Sequence, residues 1–231
     1  MGELFSNSWD IVALAWFFVT IVGYRLIAGF GPLERRSIVG AVQRRREEWM
    51  RNMAMRDGRI VDAHLLGGLA QGNAFFASTS ALIIGGLSAM LGSGDKAQAL
   101  LERLPLVAKS SPVLFEVKLM LMIGIVIYAF FKFAWAFRLS HYASIMIGST
   151  PLLDLDKGNQ QVCEEHALRT AKLIGLAAGH ANGGMRAFYY AIAAFAWFAH
   201  PLAFAAATTW IILILVRRDF FSRSRRLLAG A

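Results

Sequence analysis

Residues 187–216 read "AFYYAIAAFAWFAHPLAFAAATTWIILILV", thirty residues without a formal charge. A helix needs roughly 20 apolar residues to cross a hydrocarbon core of about 30 Å, so the run is long enough to span. Yet His200 and Pro201 stand at its centre. Cut at the proline, the halves hold about 13 and 16 residues, each short of a crossing. A single helix, kinked or tilted at Pro201, is therefore expected. The carbonyl freed by the proline, that of Trp197, is then satisfied by a neighbouring helix or by water. The alternative is a chain that turns back at Pro201.

Three further runs reach the same length: 9–30, closed by Gly31-Pro32; 65–91, closed by Gly92-Ser93-Gly94; and 112–137, opened by Pro112 in a first-turn position that suits proline. The fold class expected is all-α: a polytopic membrane protein of four transmembrane helices with cytoplasmic amphipathic helices, forming one domain over 1–231. The amphipathic connections are 31–64 and 138–186, and a basic tail fills 217–231. In 31–64, Ile38, Val42, Trp49, Met50 and Met53 fall mostly on one side at helical spacing. In 138–186 a helix is expected to end at Gly179 or at Gly183-Gly184.

Composition supports this class. The chain of 231 residues is 57% hydrophobic with a mean hydropathy of +0.50, too apolar for a soluble domain of this size. Its net charge of +9 is clustered beside the apolar runs, which points to lipid headgroups rather than nucleic acid. Arg35, Arg36, Arg44, Arg45 and Arg46 are the candidate contacts to anionic headgroups. With a single cysteine, Cys163, no intrachain disulfide or CxxC motif is possible. The N-terminus lacks the basic region and cleavage site of a secretory signal, so the first run is expected to be retained.

Lys and Arg counts set the topology. With four spans, the side holding 31–64 and 138–186 carries thirteen, against eight for the side holding 92–111 and the C-terminal tail. Both amphipathic connections are thus expected in the cytoplasm. The five arginines of the tail conflict with that, unless the fourth run turns back at Pro201.

Ionisable groups within a bilayer are costly and are functional candidates by default. Asp10 and Arg25 sit near the ends of the first run, where Arg25 can snorkel outward. Lys118 and Lys132 share roughly one face of the third run; they either snorkel and pair, or line a wet path that attracts anions. In the second run, Gly68-x-x-x-Gly72, with Gly86, matches the small-xxx-small pattern of close helix packing. Gln71 and Asn73 need hydrogen-bond partners wherever water is absent. With Ser78 and Thr79 they serve interhelical bonding or form the wall of a pore. His200 is expected near the bilayer centre, as a buried neutral imidazole or as a proton-responsive group. Haem ligation is a weaker option, since the other four histidines lie in or next to the cytoplasmic connections and no CxxCH occurs. There is no HExxH, no GxSxG and no strand-to-helix glycine loop, so no catalytic residue, metal site or cofactor is expected.

The stretch "RRREEWMRNMAMRDGRIVDAHLLGGLAQGNAFFASTSALIIGG", the stretch "FKFAWAFRLSHYASIMIG" and the entry "GGMRAFYYAIAAFAWFAHPLAF" together resemble the membrane proteins classed as domain of unknown function 599, over roughly residues 8–217. The resemblance implies a four-span protein of bacterial or plant membranes with no established activity. His200 departs from the glycine expected before the proline, so no role is carried to it. The function expected is a homo-oligomeric channel or facilitator for small ions in a plasma membrane of bacterial type, with the pore between subunits. The alternative is a non-catalytic accessory or scaffold subunit that grips a membrane-protein partner.

Overall fold

The structure, a computed structural model, describes residues 8–29, 33, 36–103, 107, 109–154 and 158–230. Every regular element among them is helical. In chain order these are α1 (Ser8–Gly29), α2 (Ile38–Ala54), α3 (Ile60–Gly92), α4 (Asp95–Leu101), α5 (Pro112–Gly148), α6 (Gln160–Phe195), α7 (Pro201–Phe221) and α8 (Arg223–Ala229). Four are long and apolar enough to cross a membrane: α1, α3, α5 and the segment beginning at Pro201. The protein is therefore an all-helical membrane protein. Arg35 lies outside the described residues.

Local chemistry sets the starts of these elements. Ser37 caps α2 by accepting from the amides of Val39 (3.2 Å) and Gly40 (3.4 Å). Ser111 caps α5 through the amide of Leu114 at 3.2 Å, with Pro112 in the first turn, as the sequence suggests. Between α3 and α4 the chain turns at Gly94, whose φ of +53° suits glycine.

Contacts along the long helices give their directions. Leu66 of α3 meets Ala143 and Ile147 of α5, whereas Leu87 and Met90 meet Phe115 and Leu119, so the two are antiparallel. On α6, Ala167 and Ala171 pack by Ala143 and Ile147, and Phe188 packs by Phe133, so α5 and α6 are antiparallel too. Near the start of α1, Ala13 and Phe17 meet Phe204, and near its end Tyr24 meets Leu215, so α1 and α7 run parallel. The ends of α1, α5 and α7 thus gather with α2, the starts of α3 and α6, and α8, which we call the arginine end. The opposite, far end holds α4 and residues 196–200.

The expected single helix over 187–216 does not form. The chain passes from α6 through a 3-10 turn, Ala196–Phe198, to an extended His200, then reverses into α7. Counting from Ala187 made the first half too short, because α6 continues back through Arg186, Gly183-Gly184 and Gly179 to Gln160. Of those glycines, expected to end a helix, Gly183 and Gly184 instead face α5, at Lys132 and Phe133. A Cβ built on Gly184 would lie 2.6 Å from Phe133 Cε2, so this close approach requires glycine. The Arg186 charge is met by Asp219 at 2.8 Å, which removes the penalty that would have broken the helix there.

Reversal at His200 also removes the conflict over the basic tail. In α8, Arg225 Nε donates to the carbonyl of Arg36 (2.5 Å), and Arg45 Nε donates to that of Leu228 (3.0 Å). The tail therefore lies beside the arginine-rich connection. The amphipathic face of α2 needs a further correction, for it is not free to lie in lipid. Met50 and Met53 are fully buried against Leu66, Ala143, Ala167 and Ile174. Apolar residues at helical spacing show that a face is covered and leave open by what.

Candidate functional site

The sequence-derived candidates do not converge on one place. Gln71 and Ser78 are exposed on α3, and Asn73 and Thr79 are half-buried. The Thr79 hydroxyl donates to its own helix, at Phe75 O (2.9 Å), and neither Gln71 nor Asn73 makes a hydrogen bond among the described residues. Gly68, Gly72 and Gly86 are exposed, and a Cβ on any of them would meet nothing within 4 Å. That stripe is not a packing seam within the single chain, since α3 buries its other side on α5.

Lys118 and Lys132 belong to separate places. Fourteen residues apart on α5, they stand about 21 Å apart along the helix. Lys118 is buried at the far end, its ammonium 5.6 Å from the Trp197 ring centre and 5.8 Å from that of Phe198. Trp197 Nε1 donates to Asp10 Oδ1 at 2.8 Å, joining the far-end turn to α1. His200 is exposed at the reversal, not buried at the centre of a span. Its Nδ1 accepts from the amide of Leu202 at 3.1 Å, and Pro201 takes the first helical position, where its missing N–H costs nothing. The His-Pro pair starts α7, and no carbonyl of Trp197 is left orphaned within a continuous helix.

Lys132 opens into a cleft of about 630 Å³ between α1, α5 and α6. Phe17, Ile21, Leu121, Gly124 and Ile125 form its inner part, toward the far end. Toward the arginine end it is lined by Tyr24, Arg25, Tyr128, Lys132 and Arg186. The Lys132 ammonium lies 5.3 Å from the Tyr128 ring centre, and Arg25 Nη1 donates to the Tyr128 hydroxyl at 3.2 Å. Neither Arg25 nor Lys132 has a carboxylate partner among the described residues. Such cations beside apolar walls attract a counter-anion, because a low dielectric strengthens the interaction.

Behind the cleft, Arg186 is anchored by Asp219, a side chain 2% exposed. Asp219 Oδ2 also accepts from the Tyr24 hydroxyl at 2.5 Å, and Oδ1 accepts from Arg218 Nε at 3.1 Å. The carboxylate thereby ties α1, α6 and α7 together. Arg186 Nε is buried without a hydrogen-bond partner. Arg186 and Gly179 also wall a second cavity of about 300 Å³ on the α2 side, with Arg46, Asn182 and Arg218. Burial lowers the affinity of Arg46 for its proton from the usual guanidinium value.

Of the candidate headgroup contacts, Arg45 pairs with Glu48 at 2.8 Å, Arg46 faces inward, and Arg36 and Arg44 are exposed. Sequence reading missed Arg186 and Asp219 and treated Arg25 as a simple snorkeller. The available signal was a lone Asp in the basic run "RRDFF" and a lone Arg in the "GGMRAFYY" entry, two opposite charges in apolar surroundings.

Residues 12–224 match the family model described as "Protein of unknown function, DUF599". The chain belongs to this family. Among curated proteins and solved structures, none matches it. Membership assigns no chemistry to the cleft.

Proposed function

We propose that the protein is a membrane facilitator for anions, with its binding site in the cleft inside one bundle rather than between subunits. The single observation that carries this reading is the convergence of Arg25 and Lys132, both without a carboxylate partner, with Arg186 on one cavity. The shared wall of Gly179 and Arg186 supports a route from the cleft toward the arginine end. At the far end Phe17, Trp197 and Phe204 pack together, which fits a carrier open to one side. In this reading α6, although more polar than the other long helices, also crosses the membrane, shielded by α5 and α7.

Several related expectations belong to the same proposal. The arginine end faces the cytoplasm of a bacterial-type plasma membrane and touches anionic headgroups through Arg36 and Arg44. The open face of Gly68, Gly72 and Gly86 supports a homo-oligomer built on α3. No step requires a catalytic residue.

Flux of small inorganic anions into liposomes tests the reading. Wild-type protein is expected to raise uptake, and Lys132→Gln to lower it by about tenfold, the loss of one charge-assisted contact. Absent uptake refutes transport, and uptake raised equally by the variant refutes the cleft as its site. Anion binding without flux favours the accessory-subunit reading, in which the same cleft holds its ligand structurally.

A further inference from the structure

The cleft is amphipathic along the axis of the bundle, and that pattern restricts its ligand. α1 ends at Gly29, four residues beyond Arg25, so Arg25 stands in the last turns of that helix on the arginine side. Phe17 and Ile21 stand four to eight residues deeper, about 6–12 Å closer to the middle of the span. On α5 the same order recurs, from Lys132 and Tyr128 down to Gly124 and Leu121. Cations and phenol hydroxyls therefore lie on the arginine side of the site, and the apolar trough lies deeper in the bundle. The exposure of Phe18 and Tyr128 on the two flanking helices leaves the trough open sideways, between α1 and α5.

We infer that the ligand of this cleft is an anionic amphiphile, a phosphate- or carboxylate-headed lipid that enters from the arginine-side leaflet between α1 and α5. Resting on the anion reading above, this names the class of anion. A bare inorganic ion fills a small part of 630 Å³ and leaves the apolar walls unused. A neutral lipid uses the walls and leaves Arg25 and Lys132 uncompensated. An amphiphile satisfies both. Entry of the chain from bilayer to trough exchanges one apolar surface for another and contributes little, so selection rests on the headgroup. Tyr128 takes part in it, since its ring faces the Lys132 ammonium and its hydroxyl holds Arg25.

Gly124 allows the two halves of the site to be separated. It lines the apolar trough, and a Cβ there meets nothing within 4 Å, so Gly124→Leu fills the trough while sparing every charge. Protein is reconstituted in phosphatidylcholine vesicles doped with phosphatidic acid and re-extracted in a neutral detergent. Phosphatidic acid retained per chain is then measured by mass spectrometry, with inorganic phosphate as competitor. Wild type is expected to retain about one molecule against millimolar phosphate. Lys132→Gln and Gly124→Leu are each expected to lower retention about tenfold or more, and Arg223→Gln with Arg226→Gln, on the exposed tail, to leave it unchanged.

Retention lost in the tail variant and kept in both cleft variants overturns the inference in favour of surface headgroup binding. Ready displacement by phosphate, with phosphate binding kept in Gly124→Leu, overturns the amphiphile and leaves the anion reading standing. Absence of both phosphatidic acid and phosphate binding in folded protein overturns both.

Discussion

Replacing Gly184 by alanine probes the register of α5 against α6, on which the position of the cleft depends. Two effects compete. Alanine is favoured over glycine in a helix interior by about 1 kcal/mol. Against that, the new methyl would lie 2.6–2.9 Å from three carbons of the Phe133 ring, where ordinary contact begins near 3.4 Å. The ring has little room to retreat, being stacked on Phe76 at 5.1 Å and tilted against Phe188 at 5.4 Å. Overpacking of this kind costs about 1–3 kcal/mol, so the net expectation is a loss of about 0–2 kcal/mol, centred near 1, with a central fall in Tm of roughly 2–4 °C. Gly179→Ala is the internal control. On the same helix and with nothing within 4 Å of its Cβ, it is expected to keep or raise Tm by up to about 2 °C. Both are measured by thermal unfolding in one detergent, followed by intrinsic fluorescence. Equal Tm values, or Gly184→Ala as the more stable of the two, refute the close approach at Phe133 and with it this register.

Three further outcomes test other parts of the structure. In a Cys163→Ser background, single cysteines at Ser224 and Asp57 are expected to react with a membrane-impermeant maleimide from the same face of the membrane; labelling from opposite faces refutes the reversal at His200. Asp219→Ala strands the half-buried Arg186 and is expected to cost about 3–5 kcal/mol, with Asp219→Ala plus Arg186→Met recovering most of it in the same unfolding assay; no recovery argues against the pair. His200→Ala is expected to lose about 1 kcal/mol of cap stability and His200→Asn to retain it, since asparagine supplies an equivalent acceptor; equal loss in both, read from Tm, removes the capping role.

The sequence by itself determined the solvent and the class of secondary structure. Long uncharged runs can satisfy their backbone groups in lipid only as helices, and Ser111-Pro112 and Gly92-Ser93-Gly94 mark element boundaries through local geometry. Clustered arginines determined that one end differs from the other. Only the tertiary structure decided how the 187–216 run is used. Pro201 reads equally as a kink or a helix start, and the outcome turned on whether α6 survives Arg186 and Gly184, hence on Asp219 and Phe133, 33 and 51 residues away. The cleft was hidden for the same reason. Lys132 was visible on its own helix, but Arg25 and Arg186 join it from two others, and periodicity reports which face of a helix is apolar without reporting what faces it. Charge neutralisation and ring-to-glycine contact are properties of pairs, and pairs exist only once the chain has folded.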